Sequence, residues 1–390
     1  MNIIWITLES ILPANSGGRL GVFKRLEQVS KSERVFLYYP YDDESELQYV
    51  GELSKYCVEV HPYSRQKNKV NALRSLFKYP YTVGSRVFEQ MKHDIETCLR
   101  DNEIDVINID FPHMCANLLK INTNVPIVLN EHNIEWLVYK TISQSQKNII
   151  KKIAYFFDSL RLKKYEAKIL KKVTPKAVTF VSSKDMEYYK ANFRSDNCIL
   201  IPVGADDHKD RTPVLHQGKN IIFVGKMSYG PNVEAMEWFV SSVFPAIIKV
   251  IPDVHLYIVG KDPTEEIKEM QSERITVTGM VDSVDGFYDL SDLVVLPLKN
   301  GGGVKVKLLE AISYKKLVVS TTTGVEGTEY ADGKSIPICD SSDDFVKACI
   351  DRLIDPNAYI KEAEHAYDCF YNNYSWDRIG TLYINALKAV

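Results

Sequence analysis

Short apolar runs and longer stretches of helical spacing alternate along the chain. In the first half the runs are NIIWITL, RVFLYY, IDVINID, VPIVLN, AVTFVS and CILIPV; in the second they are NIIFVG, VHLYIVG, RITVTG, LVVLPL and KLVVST. Each is rich in Ile or Val and bounded by polar turn residues. Strands of this kind, separated by helices, predict βαβ units and parallel sheets covered on both faces. After KLVVST the pattern is helical to the end. In YNNYSWDRIGTLYINALKAV the residues Trp376, Ile379, Leu382 and Ile384 fall near helical spacing and predict a closing helix.

The stretch GADDHKDRTPVLHQG, between Pro202 and Lys219, is polar and lacks a periodic apolar face, which marks a linker. The predicted organisation is an α/β protein in three parts. Residues 1–203 form a Rossmann-like domain, residues 204–375 a second one, and residues 376–390 a helix that crosses back to the first. Ligands of parallel sheets bind beyond the carboxyl ends of the strands, so a cleft between the two halves is the expected site.

The length of 390 residues agrees with two domains, each large enough to bury a core unaided. With 48 Lys and Arg against 51 Asp and Glu, the net charge of −3 excludes a field that would hold a nucleic acid backbone. Seven cysteines (Cys57, Cys98, Cys115, Cys198, Cys339, Cys349 and Cys369) are scattered and form no C-x-x-C, so neither a disulfide framework nor a zinc site is expected. The opening MNIIWITLES has no basic n-region and reads as a buried strand, and no run approaches the length of a membrane span. A cytoplasmic location follows as an expectation.

The strongest local signal is LPLKNGGGVKVKLLEAISYKK, where a strand ends, Gly301, Gly302 and Gly303 follow, and a helix opens. Glycines admit close backbone approach, and a helix start with Lys305 and Lys307 beside it suits a phosphate or diphosphate. The spacing is not that of a P-loop. A plain glycine turn with two solvated lysines is the alternative. Gly303, Lys307 and Glu310 stand at i, i+4 and i+7, which predicts one helical stripe of cation then carboxylate. Glu310 is then placed either to accept hydrogen bonds from ribose hydroxyls or to form a salt bridge with Lys307. Asp110 and His113, in NIDFPHM, follow another strand and are candidates for the acceptor side, as is Arg19; an N-cap Asp in a turn is the alternative. Between Lys140 and Lys176 eleven Lys and Arg face only Asp158 and Glu166, interleaved with Ile149, Ile150, Ile153, Phe156 and Phe157. Before Arg161 this segment reads as a basic amphipathic helix suited to anionic lipid; after it, as an ordinary helix with one core-facing stripe.

The string GGGVKVKLLEAISYKKLVVSTTTGVEG resembles the nucleotide-sugar signature of family 4 retaining glycosyltransferases of the GT-B fold, in the form G-G-x-[RK]-x-K-[IL]-L-E-A. Three further segments agree in order: Ser16, Gly17, Gly18 and Arg19 after the first strand, NEHNIEW at a strand end, and FVGKMSYGPNVEAMEWF opening the second half. The late YSW is similar to the kink before the last helix of that family. The resemblance implies two parallel sheets facing across a cleft. It implies transfer of a sugar, of hexosyltransferase type and with retention, from a nucleoside diphosphate donor to the hydroxyl of a glycan or lipid-linked acceptor in polysaccharide or glycolipid assembly. It implies donor contacts from Gly18, Lys226, Gly302, Gly303, Val304, Lys305, Lys307 and Glu310. Catalytic roles fall to Lys226 and Lys307 at the diphosphate and to His132 beside the transferred sugar, a core or N-cap histidine being the alternative for His132. No D-x-D metal motif is present, so no cofactor and no metal is expected, the lysines and helix start serving in place of a divalent ion. The basic segment 140–176 is the feature that would bring the chain to the inner face of the membrane.

Two departures from the family pattern stand out. Gly302 occupies the position of the first glutamate of E-x7-E, and Tyr229, Gly230, Pro231 and Asn232 stand where many members carry a second basic residue. Lys305 and Lys307 are the candidates to supply that charge. Alternative readings are an NDP-sugar epimerase of the same architecture and a non-catalytic nucleotide-sugar-binding subunit. A Rossmann dehydrogenase is disfavoured by S-G-G-R in place of G-x-G-x-x-G.

Overall fold

The computed structural model describes residues 1–66, 68, 75–146, 148–193, 195–211 and 218–390. Residues 212–217 of the predicted linker and Lys147 of the basic segment therefore lie outside the described residues. The chain divides into two compact units, Met1–Pro202 with Ile379–Val390, and Val203–Arg378.

The first unit holds a seven-stranded sheet: β1 (Asn2–Ile6), β2 (Arg34–Tyr41), β3 (Glu59–Ser64), β4 (Val106–Asp110), β5 (Ile127–Glu131), β6 (Ala177–Phe180) and β7 (Cys198–Leu200), in the order β3-β2-β1-β4-β5-β6-β7. All its pairings are parallel. Six of the seven strands are the predicted runs. The exception is β3, whose EVHPYS sequence carries Glu59, His61 and Pro62 and has no apolar run to give it away. Pro62 donates no hydrogen bond, and β3 pairs only with β2, so it occupies the sheet edge where proline is tolerated.

Helix α1 (Gly17–Val29) follows β1, its N-cap Ser16 accepting from the Arg19 amide. Helix α2 (Ile149–Val173) precedes β6. It buries Leu162, Tyr165, Glu166, Ile169 and Val173 in its second half, as the alternation after Arg161 predicts, and Ser159 shortly before.

The second unit holds β8 (Asn220–Val224), β9 (His255–Val259), β10 (Ile275–Gly279), β11 (Leu293–Leu296) and β12 (Leu317–Ser320), all parallel, in the order β10-β9-β8-β11-β12. Side chains alternate between faces along a strand. Leu293, Val295, Leu317 and Val319 accordingly pack into one apolar layer, and Val294, Leu296 and Val318 into the other. Helix α3 (Val306–Ser313) follows β11. Near the end of the unit Ala205 and Ser375 form a parallel bridge, with the Ala205 amide donating to the Tyr374 carbonyl at 3.0 Å. The predicted closing helix is α4 (Trp376–Lys388). Its first three residues cluster with the second unit and the rest with the first. Its buried face differs from the predicted one: Trp376, Ile379, Tyr383, Ala386 and Leu387 are buried, while Leu382 and Ile384 are only partly so. Tyr383 is drawn inward because the first sheet offers it a polar partner. Its hydroxyl donates to Asn108 Oδ1 at 2.9 Å, and its ring stacks on Trp5.

The first unit also buries two carboxyls without hydrogen-bond partners, Glu131 at the end of β5 and Glu166 on α2. Burial raises both above the ordinary carboxyl range, Glu166 to about 8, and their mutual repulsion adds to the rise in Glu131. Burial also pushes Glu135 up to about 7. The native state thus favours the protonated forms. Their stabilising contribution is complete below the unfolded value and is lost as pH rises through about 7 to 8. Melting temperature is expected to fall across that interval in a calorimetric pH series, and Glu166→Gln to flatten the fall; a slope unchanged by Glu166→Gln would refute this origin.

Candidate functional site

In a doubly wound sheet the strands that leave in opposite directions open a crevice at their carboxyl ends. In the second unit this point lies between β8 and β11, and the loops that follow those strands carry the residues picked out by the sequence. The loop after β11 runs through Asn300 to Lys305 into α3. Gly301 and Gly303 have φ of 113° and 73°, backbone positions that other residues enter only with strain. The glycines after β8 and β9 serve a different purpose: a Cβ on Gly260 would lie 1.7 Å from the Gly225 carbonyl oxygen, so the two loops meet only because no side chain intervenes.

Gly301, Gly302, Val304, Lys305 and Lys307 line a cavity of about 260 Å³ with Tyr229, Pro231 and Asn232. No side chain caps the start of α3, where Lys305 is the N-cap residue, so the first helical amides are left for a ligand. Lys305 Nζ donates to the Gly301 carbonyl at 3.2 Å and to the Gly303 carbonyl at 2.5 Å, and lies 3.7 Å from Glu326. Lys307 Nζ sits 4.4 Å over the Phe223 ring and donates to Asn232 Oδ1 at 2.6 Å. Asn232 in turn donates through Nδ2 to the Lys226 carbonyl. Burial pulls the Lys307 ammonium down to about 7; Glu310 opposes that fall and Lys305 adds to it. It is a cation held ready to lose its charge unless an anion arrives.

Glu310 does not pair with Lys307. It accepts from the Tyr288 hydroxyl at 3.2 Å, and burial raises its carboxyl above the usual range. Tyr288 stacks on Tyr314 at 4.2 Å, and Tyr314 on His208 at 3.8 Å, forming an aromatic wall beside the carboxylate. The single stripe expected of Gly303, Lys307 and Glu310 is corrected here. The helix begins at Val306, so Gly303 belongs to the preceding loop and only Lys307 and Glu310 share the helix. Lys226 is exposed beside Asp262 at 3.5 Å, and neither it nor Glu310 lines the 260 Å³ cavity.

In the first unit the corresponding point lies between β1 and β4. Asp110, the last residue of β4, accepts from Trp5 Nε1 at 2.6 Å through Oδ2 and pairs through Oδ1 with His132 Nε2 at 2.9 Å. His132, just beyond β5, stacks on Phe111 at 4.6 Å, and Phe111 itself has a φ of 67°. Strained residues of this sort persist where the surroundings over-determine them. His113 is separate from this pair: it is fully buried, and burial together with Arg86 pushes it down to about 3. Arg19 is held between Glu9 at 2.8 Å and Glu46 at 2.7 Å. Gly18 lies exposed in the first turn of α1 with open space around it.

Sequence reading named Asp110 and His132 without joining them, because residues 22 positions apart carry no sign of pairing until β4 and β5 lie in register. It passed over Asn232 as a lysine partner, and it passed over Tyr288 and Tyr314 because isolated tyrosines give no motif. Among the described residues no group of three or more His, Cys, Asp or Glu is placed to hold a metal ion.

Residues 218–355 match the family model described as Glycosyl transferases group 1. An uncharacterized 44.6 kDa protein in the cps region of Klebsiella pneumoniae is 26% identical over 405 residues, covering 97% of each chain. Two solved structures share the whole fold. One is a glycosyltransferase from Rickettsia africae (TM-score 0.68, 14% identity, 100% of this chain and 98% of that one). The other is Anabaena HepE in complex with UDP (TM-score 0.65, 13% identity, 100% of both). The fold is thus GT-B, with two Rossmann-like parallel-sheet units, and the stretch similar to the group 1 model lies in the second of them.

Gly303→Ala is expected to cost about 1 kcal/mol in urea denaturation, because alanine must adopt a positive φ there. Gly302→Ala, which meets open space at an ordinary φ, is expected to leave stability unchanged. Equal losses in the two variants would show that the loop is not held as described.

Proposed function

We propose that this protein is a retaining glycosyltransferase that moves a sugar from a nucleoside diphosphate donor to an acceptor hydroxyl. The observation that carries the proposal is Lys307: a buried ammonium at the foot of a glycine loop and an uncapped helix start, tuned so that a diphosphate restores its charge. Lys305 and the loop amides share that diphosphate, and Lys226 adds an exposed cation after β8. Gly302 replaces a side-chain contact to the sugar with backbone. Glu310, flanked by the Tyr288 and Tyr314 rings, accepts from the ribose hydroxyls. On the first unit the Asp110–His132 pair is assigned to the transferred sugar, with Asp110 fixing the imidazole orientation.

In the reaction the bond from the anomeric carbon to the diphosphate oxygen breaks. The acceptor oxygen bonds to that carbon from the same face, and the acceptor proton passes to the departing phosphate. Charge develops on the leaving diphosphate, and fixed cations and amides aimed there lower the barrier without reorganising. This arrangement is expected to work without a divalent ion. The cps-region relative, with cps read as capsular polysaccharide, supports a role in cell-envelope polysaccharide assembly.

A thermal-shift panel of UDP, GDP, ADP, dTDP and NAD, with and without Mg²⁺, tests the donor class. A nucleotide at a hundred times its Kd adds about 2.7 kcal/mol, and a metal-independent response to one nucleoside diphosphate is expected. A response to NAD alone, or to none, overturns the reading. Lys307→Ala and Glu310→Ala are each expected to lose more than about tenfold in turnover while remaining folded. Product analysis without acceptor checks that the donor is not simply epimerised.

Diphosphate binding also recharges Lys307 and so takes up a proton. Affinity is therefore expected to weaken as pH rises above about 7. Calorimetry in buffers of different ionisation enthalpy reads this uptake directly, and Lys307→Ala is expected to abolish it.

A further inference from the structure

The first half of α2 presents apolar residues to solvent without a partner. Ile149, Ile150 and Phe157 are 70%, 75% and 58% exposed, and Ile153, Phe156 and Leu160 are exposed beside them. At 3.6 residues per turn these six fall within about a third of the helix circumference, roughly opposite the side that Leu162, Tyr165 and Ile169 bury one turn later. A solvated helix with one core-facing stripe has the reverse arrangement. The turn before residue 82 is held against the flank of the same helix segment. Asp158 accepts from the Tyr81 amide at 3.1 Å, and Arg161 donates to the Leu76 and Tyr79 carbonyls, which leaves Phe77 fully exposed alongside.

The surroundings of this face are cationic. Lys151, Lys152 and Lys164 on α2 are exposed, as is Lys78 in the turn beside it. Behind the face a cavity of about 470 Å³ is lined by Arg65, Arg86 and Arg161, together with Tyr139, Tyr155 and the acidic Asp158. Arg65 is paired with Asp42. Arg86 donates to the Leu8 and Thr82 carbonyls, but among the described residues no carboxylate lies within ion-pair distance of it. Burial and the neighbouring Arg65 pull its guanidinium below its ordinary value. Asp42 and Glu9 oppose that fall from beyond ion-pair distance, and a buried guanidinium with no directly paired carboxylate is costly until an anion meets it.

We infer that this face lies on an anionic membrane surface, its isoleucines and phenylalanines entering the headgroup boundary, and that the cavity receives the phosphate of a lipid headgroup against Arg86. Apolar side chains ringed by lysine match such a surface in both polarity and charge. The inference does not depend on the nucleotide-sugar reading, since it concerns other residues and needs no donor.

Co-sedimentation of the full chain with sucrose-loaded vesicles tests it. Binding to phosphatidylcholine–phosphatidylglycerol vesicles is expected to exceed binding to phosphatidylcholine alone by at least about tenfold and to weaken with added salt. The double variant Ile150→Glu, Phe157→Glu changes only exposed positions. It is expected to abolish vesicle binding while keeping its melting temperature and its nucleotide response, so this test and that of the donor site fail independently. Arg86→Gln, with Arg86→Lys as a second variant should the first not fold, is expected to weaken binding to anionic vesicles selectively.

Equal binding to both vesicle types would overturn the inference. So would stabilisation of the wild type by inorganic phosphate without vesicle binding, which would make the cavity a site for soluble phosphate. A dimer seen by sedimentation velocity and dissociated by the double variant, again without vesicle binding, would assign the face to a second copy of the chain and overturn it as well.

Discussion

Parallel pairing is the constraint from which the sites of both units follow. When every strand of a sheet runs the same way, every loop that leaves a carboxyl end is gathered on one rim, and the reversal of strand order opens that rim at a single place. In the second unit this brings the loop after β8, the glycine loop after β11 and the start of α3 together although long helical stretches separate them in the chain. In the first it brings Asp110 and His132 together at the ends of adjacent strands. The apolar runs that make the sheets therefore also decide where polar chemistry can be placed.

The buried polar groups of the first unit extend that logic inward. Thr179 donates to Asn130, Asn130 donates to Asn108, and Asn108 also accepts from Tyr383, so neighbouring strands carry a hydrogen-bonded ladder on the face where α4 docks. Trp5 lies on this face too, stacking on Tyr383 and reaching Asp110 with its indole nitrogen. The orientation of His132 is thus tied, through Asp110 and Trp5, to the packing of the closing helix. Hydrogen-bonded networks of this type hold one geometry more strictly than an apolar core does, because each misplacement leaves more polar groups unpaired, and here Asn108 Nδ2 is already buried without a partner.

The sequence made legible whatever repeats or clusters locally. Eleven apolar runs announced eleven strands, and three glycines followed by a helix announced the loop that lines the cavity before α3. What it concealed depended on register or on single side chains. Strand β3 is held by an edge position and not by its composition; Tyr383 replaced Leu382 and Ile384 on the buried face because a partner awaited it; and Asn232, which looked like the loss of a basic residue, turned out to hold Lys307 in place. Lys305 and Lys307 were visible as charges, but the burial that sets Lys307 near neutrality emerges only once β8 supplies Phe223 beneath it.

The bridge between Ala205 and Ser375 has a bearing on how the chain is made. The first unit is interrupted: its last residues, from Ile379 onward, emerge only after the whole second unit has been synthesised, so its core is incomplete for most of translation. Loop-closure entropy would ordinarily tax such a distant return. A second unit that folds with residues 205 and 375 already side by side, however, delivers α4 from a point next to where the first unit left off. The insertion then behaves as a short tether, and the late arrival of Tyr383 costs time at the ribosome more than it costs stability.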